Sequence, residues 1–88
     1  MDIVLEGRKM KSREAFHDEI ESKLDTPDYY GRNLDALYDV LTESDEANII
    51  LNDVDDMLSF LGSYGDAALE IFKEAEEYND NLVLIINH

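Results

Sequence analysis

Apolar residues fall along this chain in three short runs, separated by stretches in which they recur every three or four positions. Ile3-Val4-Leu5, Ile49-Ile50-Leu51 and Leu82-Val83-Leu84-Ile85-Ile86 are β-branched or leucine-rich and read as strands. Near-continuous apolarity over so few residues is the pattern of buried parallel strands, and the five-residue run predicts the most buried of the three. Between the first two runs, Ser12 is placed to cap a helix whose stripe is Phe16, Ile20 and Leu24 with Ala15, while Glu14, Asp18, Glu19 and Glu21 turn to water. His17 lies beside that stripe and reads as a partly exposed surface side chain, since no second titratable group stands at a useful spacing.

Thr26-Pro27-Asp28 breaks the chain before the most distinctive stretch, residues 29–41, YYGRNLDALYDVL. Gly31 offers the positive φ that a turn often needs, and Asn33 is a good N-cap for a helix starting at Leu34. With one residue every 100°, Leu34, Leu37, Tyr38 and Leu41 fall on one side of it, and Asp35, Asp39 and Glu43 on another. Like charges at i, i+4, i+8 oppose the helix by roughly 0.2–0.5 kcal/mol per pair. Arg32 is the one cation near enough in sequence to relieve them. Such a stripe is either a plain solvated face or a surface built to meet cations.

After a polar connector at residues 42–48 comes the second strand, and a helix between two such strands predicts a parallel crossover. Asp53, Asp55 and Asp56 follow it, at the end where open α/β sheets place ligand sites. They do not complete a calcium loop, which would need a further ligand near Met57 and a glycine directly after it. Asp53 or Asp55 is read instead as the cap of a short helix over 57–61, ended by Gly62. Ser63-Tyr64-Gly65 reads as a turn, and a last helix over about 66–78 has Ala68, Leu69, Phe72 and Ala75 inward and Glu70, Glu74 and Glu77 outward. The order is β-α-α-β-α-α-β, a single α/β domain over 1–88 with a three-stranded parallel sheet and about four helices.

Charge then narrows the function. Twenty-two acidic side chains against seven basic ones leave a net charge of −15 on 88 residues, which argues against direct binding of RNA, DNA or an anionic membrane. The regular apolar periodicity separates the chain from a disordered acidic tail. A folded acid with a basic protein partner is the simpler view, and attraction of that kind chiefly raises the association rate and weakens with salt. There is no cysteine, hence no disulfide, thiolate metal site or thiol nucleophile, and no cofactor is implied. The start, MDIVLEGRKM, lacks the apolar core of a signal peptide, and no stretch approaches the ~18–20 apolar residues of a membrane span. A cytoplasmic protein, monomeric when free, is expected.

The run Tyr29-Tyr30-Gly31-Arg32-Asn33-Leu34-Asp35-Ala36-Leu37, followed by Asp39 and Leu41, resembles the signature of the barstar family, small intracellular inhibitors of secreted microbial ribonucleases such as barnase. The order of elements fits over the whole chain. The resemblance implies strand order 1-2-3 and a partner-binding set of Tyr29, Gly31, Asn33, Asp35, Tyr38, Asp39, Thr42, Glu43 and Glu74. Within that set it makes Tyr29 the exposed contact tyrosine and Glu74 a contact on the last helix; Tyr38 stands where the family commonly has tryptophan. The connector Thr42-Glu43-Ser44-Asp45-Glu46 departs from the archetype in lacking its aromatic and proline features and in adding acids.

Catalysis and binding are the two function classes to weigh. Asp35 and Asp39 are close enough to perturb each other as a carboxylate pair, but a hydrolase needs a concave site and a cationic or electrophilic helper. As a binding module, the same carboxylates can stand where a nuclease expects RNA phosphates and accept charge-assisted hydrogen bonds from its cations. An acidic module or immunity protein for a different nuclease toxin or basic partner is the alternative.

Overall fold

The computed structural model describes residues 2–88. In chain order these form β1 (Asp2–Glu6), a 3-10 turn (Gly7–Lys9), α1 (Arg13–Lys23), α2 (Leu34–Glu43), β2 (Ala47–Asn52), α3 (Val54–Leu61), α4 (Ser63–Tyr78) and β3 (Leu82–Ile86). The strands are parallel in the order β1-β2-β3, in the α/β arrangement that the resemblance implied. Ile3 and Leu5 lie opposite Ile49 and Leu51, which in turn lie opposite Leu84 and Ile86.

Side chains alternate across a strand, and here only one face of the sheet is covered. Ile3, Leu5, Ile49, Leu51 and Leu82 are buried with Phe16, Ile20, Leu37, Leu41, Met57 and Phe72 of the helices. On the other face Val4, Val83 and Ile85 are exposed, the last two to 47% and 43%. The final strand is therefore not the most buried, contrary to the expectation from its five-residue apolar run. It is an edge strand of a one-sided sheet, so alternate residues meet water, and central β2 is the better buried.

Both sheet edges are occupied by side chains. Glu19 of α1 accepts the outward Glu6 N–H at 2.9 Å, and Lys23 one turn later donates to the Val4 carbonyl at 3.0 Å. At the other edge Glu76 of α4 accepts the Leu84 N–H at 2.6 Å. Unpaired edge groups are templates for association, and these contacts cover several of them. Glu19, expected in water, is only 6% exposed for this reason.

Two backbone turns differ from expectation. Asp53 takes a left-handed conformation (φ 54°, ψ 43°), and α3 begins directly after it at Val54, with no cap from the Asp53 side chain. Gly62, at φ 58°, ends α3 and opens α4 at Ser63, so 63–65 is helical and no turn is needed there. Gly65 is buried against the Met57 carbonyl and Leu61, where an added Cβ would sit 3.2 Å from each. That close approach packs α3 on α4, and α4 in turn packs on α2.

Candidate partner-binding site

α2 is fixed at both ends. Asn33 accepts the Ala36 N–H through Oδ1 at 2.8 Å, the expected N-cap. At the other end the buried Asn79 amide donates to the carbonyls of Leu41 and Ser44, both at 3.1 Å. It thereby satisfies acceptors that the helix itself leaves free. From sequence alone Asn79-Asp80-Asn81 reads as a turn, because the partners of Asn79 lie more than thirty positions away. Leu37 and Leu41 anchor the inner face in the core, and Tyr38 packs half-buried against it.

The outer face carries Asp35, Asp39 and Glu43, all exposed. Among the described residues none of the three forms an ion pair. Arg32, expected to relieve them, turns the other way. Its guanidinium binds Asp18 and Glu21 of α1, each at 2.8 Å, and donates to the Glu14 carbonyl at 3.0 Å. It is Arg32, at φ 53°, that takes the left-handed conformation expected of Gly31, and this geometry aims its side chain at α1. Those two carboxylates hold the Arg32 guanidinium above its ordinary pKa through their hydrogen bonds.

The tyrosine pair divides its work. Tyr29 is 87% exposed, whereas Tyr30 turns inward to His17. His17 is no surface residue: it is 2% exposed, with Nδ1 2.7 Å from the Tyr30 hydroxyl and Nε2 2.7 Å from that of Tyr64. Its partners stand 13 and 47 positions away, which is why spacing along α1 could not reveal them. Burial, then the Arg32 charge, pushes the imidazole pKa below its usual value, against the opposing pull of Glu21 and Asp18. Burial likewise pushes the phenols of Tyr30 and Tyr64 upward, so both stay protonated at neutral pH.

Pro27, Tyr29, Tyr30, Gly31, Ala36, Asp39, Val40 and Glu43 line one hollow of about 360 Å³ between the α1–α2 loop and α2. The structure thus brings Tyr29, Gly31, Asp39 and Glu43 together. Asn33, Asp35, Tyr38 and Thr42 share the loop or helix without lining the hollow. The Thr42 hydroxyl is turned back on the helix, donating to the carbonyls of Tyr38 (2.9 Å) and Asp39 (3.2 Å). Glu74 stands apart, exposed on α4. Pro27, Ala36 and Val40 were missed, yet 36, 39, 40 and 43 are spaced i, i+3, i+4, i+7, and that spacing could have revealed a mixed apolar and acidic face. A second hollow of about 290 Å³ adjoins the first at Pro27, Val40 and Glu43, and takes Asp45 and Glu46 of the connector into its rim.

The arrangement is an acidic, partly apolar concavity beneath an exposed aromatic ring. It can accept several hydrogen bonds from cationic groups and cover an apolar contact at once. The family model for barstar, described as barnase inhibitor, matches residues 1–86. The chain is 45% identical over 87 residues to "Putative ribonuclease inhibitor YrdF" of Bacillus subtilis (strain 168), covering 96% of each chain. Sequence signature, parallel 1-2-3 sheet and both comparisons agree, and the chain belongs to the barstar family.

Proposed function

We propose that this protein is a ribonuclease inhibitor that occludes the active site of a basic, barnase-type enzyme through the outer face of α2 and the loop before it. The observation that carries the reading is the Asp35, Asp39 and Glu43 file: exposed, without an ion pair among the described residues, and spared by the nearest arginine. A protein that keeps like charges together at a cost to its own helix gains when a partner supplies the missing cations. The membership in a family of inhibitors, together with the likeness to a relative named for ribonuclease inhibition, supports the same class of function and an inhibitory, non-enzymatic role.

In this reading Asp39, on the rim of the hollow, takes the place of an RNA phosphate. Asp35 pairs with cations beside the nucleotide site, and Glu43 extends the acidic line. Tyr29 lies over the catalytic region and excludes water, where a large ring with a polar tip makes an effective anchor. Asn33 and the Gly31 backbone supply directional contacts, Tyr38 and Thr42 border them, and Glu74 contributes at the periphery. The exposed acids Asp45 and Glu46 beside the second hollow extend the acidic surface beyond α2.

The test is a titration into a barnase activity assay at low and moderate salt, with Asp39→Ala alongside. Stoichiometric inhibition that weakens with salt and is lost in the variant is the expected result. Equal inhibition by a folded Asp39→Ala protein would remove the phosphate-mimic mechanism.

A further inference from the structure

We infer that His17 is a positioning residue for the contact segment: held between the Tyr30 and Tyr64 hydroxyls, it anchors the turn at residues 29–33 to the helical layer. The functional half of this inference rests on the inhibitor reading above. The structural half concerns the free protein alone.

The segment from 25 to 33 has little structure of its own. Its backbone makes a Thr26 N–H to Leu24 carbonyl bond and a Tyr30 N–H to Pro27 carbonyl bond, both 3.0 Å. What holds it against α1 is two side chains, Arg32 and Tyr30. The Arg32 tether ends on solvent-facing carboxylates, and ion pairs in such places are weak and screened by salt. The Tyr30 tether ends on a buried ring, where hydrogen bonds are stronger and costly to leave unmade. Tyr30 is the immediate neighbour of both Tyr29 and Gly31, so fixing its ring fixes the backbone that presents them.

Position 17 needs no histidine for packing. The core stripe of α1 is Phe16, Ile20 and Leu24, all apolar, and His17 lies beside it. The ring instead supplies direction. A neutral imidazole has one donor and one acceptor, so one tyrosine hydroxyl donates to it and the other accepts from it. Edge-on contact with Phe16 and the Arg13 guanidinium 4.4 Å above the Tyr64 ring hold the assembly from the α1 and α4 sides. Protonation would add a buried charge near the Arg32 guanidinium, with Arg13 one turn back on α1 over the Tyr64 ring. The acids on that side, Asp18 and Glu21, are already engaged by Arg32, and Tyr30 and Tyr64 offer only neutral oxygens. Acid should therefore loosen the turn, and affinity should fall with it.

The experiment compares Tyr30→Phe, Tyr64→Phe and His17→Leu with the parent in two measurements. One is dissociation from barnase between pH 7.5 and 5; the other is amide hydrogen exchange of residues 29–33 in the free protein at pH 7. Tyr30→Phe and His17→Leu should speed dissociation about three- to tenfold, the scale of one or two net hydrogen bonds. Both should raise exchange at 29–33 relative to α4. Tyr64→Phe removes the hydroxyl on the far side of the ring, leaves the Tyr30 bond in place, and should change dissociation by less than about twofold. The parent should dissociate faster as the pH falls through the histidine range, more steeply than His17→Leu, the difference cancelling the enzyme's own titrations. Equal effects of the two tyrosine substitutions, or unchanged exchange at 29–33 in both Tyr30→Phe and His17→Leu, would overturn the positioning role. If the parent itself fails to bind barnase, the assignment of that enzyme fails while the exchange data still decide the role of His17.

Discussion

The two acidic faces of this molecule are built from the same residue types and treated in opposite ways. Around β1 and α1 four carboxylates are neutralised: Glu6 by Arg8 and Lys9, Glu19 by Lys23, Asp18 and Glu21 by Arg32. Four of the seven lysine and arginine side chains are committed there. The outer face of α2 receives none of them. With so few cations in a chain of charge −15, their placement decides which acids are neutralised within the molecule and which stay open. Arg32 makes the point most sharply, because it adjoins the α2 cap in sequence and yet reaches back to α1.

The largest test of this division sets Asp39→Ala against Asp18→Ala in binding to barnase. Removing one member of a buried, hydrogen-bonded charge pair costs about 2–5 kcal/mol in such interfaces, because partner cations are left unpaired. Asp18 pairs on the protein's own surface, and losing an exposed ion pair costs about 0–1 kcal/mol. Comparable losses of affinity from the two substitutions would show that general acidity, and not the α2 file, is what the enzyme recognises.

Glu19→Ala probes the structural side. Its carboxylate is buried and accepts both the Glu6 N–H and the Lys23 ammonium, so truncation strands a backbone donor at the sheet edge. The expected loss is about 1–3 kcal/mol of stability by urea denaturation, with little change in affinity beyond what unfolding explains. A midpoint equal to that of the parent would show that the edge contact contributes nothing.

How much of this was legible beforehand follows from the range of each interaction. The Asn33 cap, the three strands and the exposure of the Asp35, Asp39 and Glu43 file depend on neighbours within four residues or on simple periodicity, and the sequence displays both. His17, Glu19 and Asn79 depend on partners 13 or more positions distant, so pattern along a single helix reads them as surface or turn residues. β3 misled for a related reason: its apolar run shows what the strand can bury, while its place at the edge decides what it does bury. The direction of Arg32 was hidden in one backbone angle.

Acidification should act on His17 and on Glu6 in different windows. The folded pKa of His17 lies below the usual 6.5, so between that value and 6.5 the unfolded chain binds more protons than the folded one. The stability it contributes is fully present above 6.5 and is lost as the pH falls through the lowered value. Glu6, also depressed, chiefly by its hydrogen bond with Lys9, adds its own loss only below the ordinary carboxylate value of 4.5. Thermal midpoints measured across this range should fall first in the histidine window, and His17→Leu should remove that first decline. An identical profile in the variant would place the early transition elsewhere.

The smallest expected effect has the opposite sign from the largest. Asp39 stands four residues from both Asp35 and Glu43, and each like-charge pair opposes the helix by roughly 0.2–0.5 kcal/mol at low salt. Its carboxylate has no ion-pair partner among the described residues, so Asp39→Asn keeps the shape and relieves two repulsions without breaking a pair. The variant should melt a few degrees higher than the parent, about 2–6 °C for a domain of this size, with the gain shrinking as salt is added. Neutralising the residue whose loss most damages binding should thus stabilise the free protein, as expected where function retains an arrangement that folding alone would discard. Should Asp39→Asn melt at or below the parent temperature at low salt, the α2 acids would be at ease in the free protein, and the case that they are held ready for a partner would lose its main physical support.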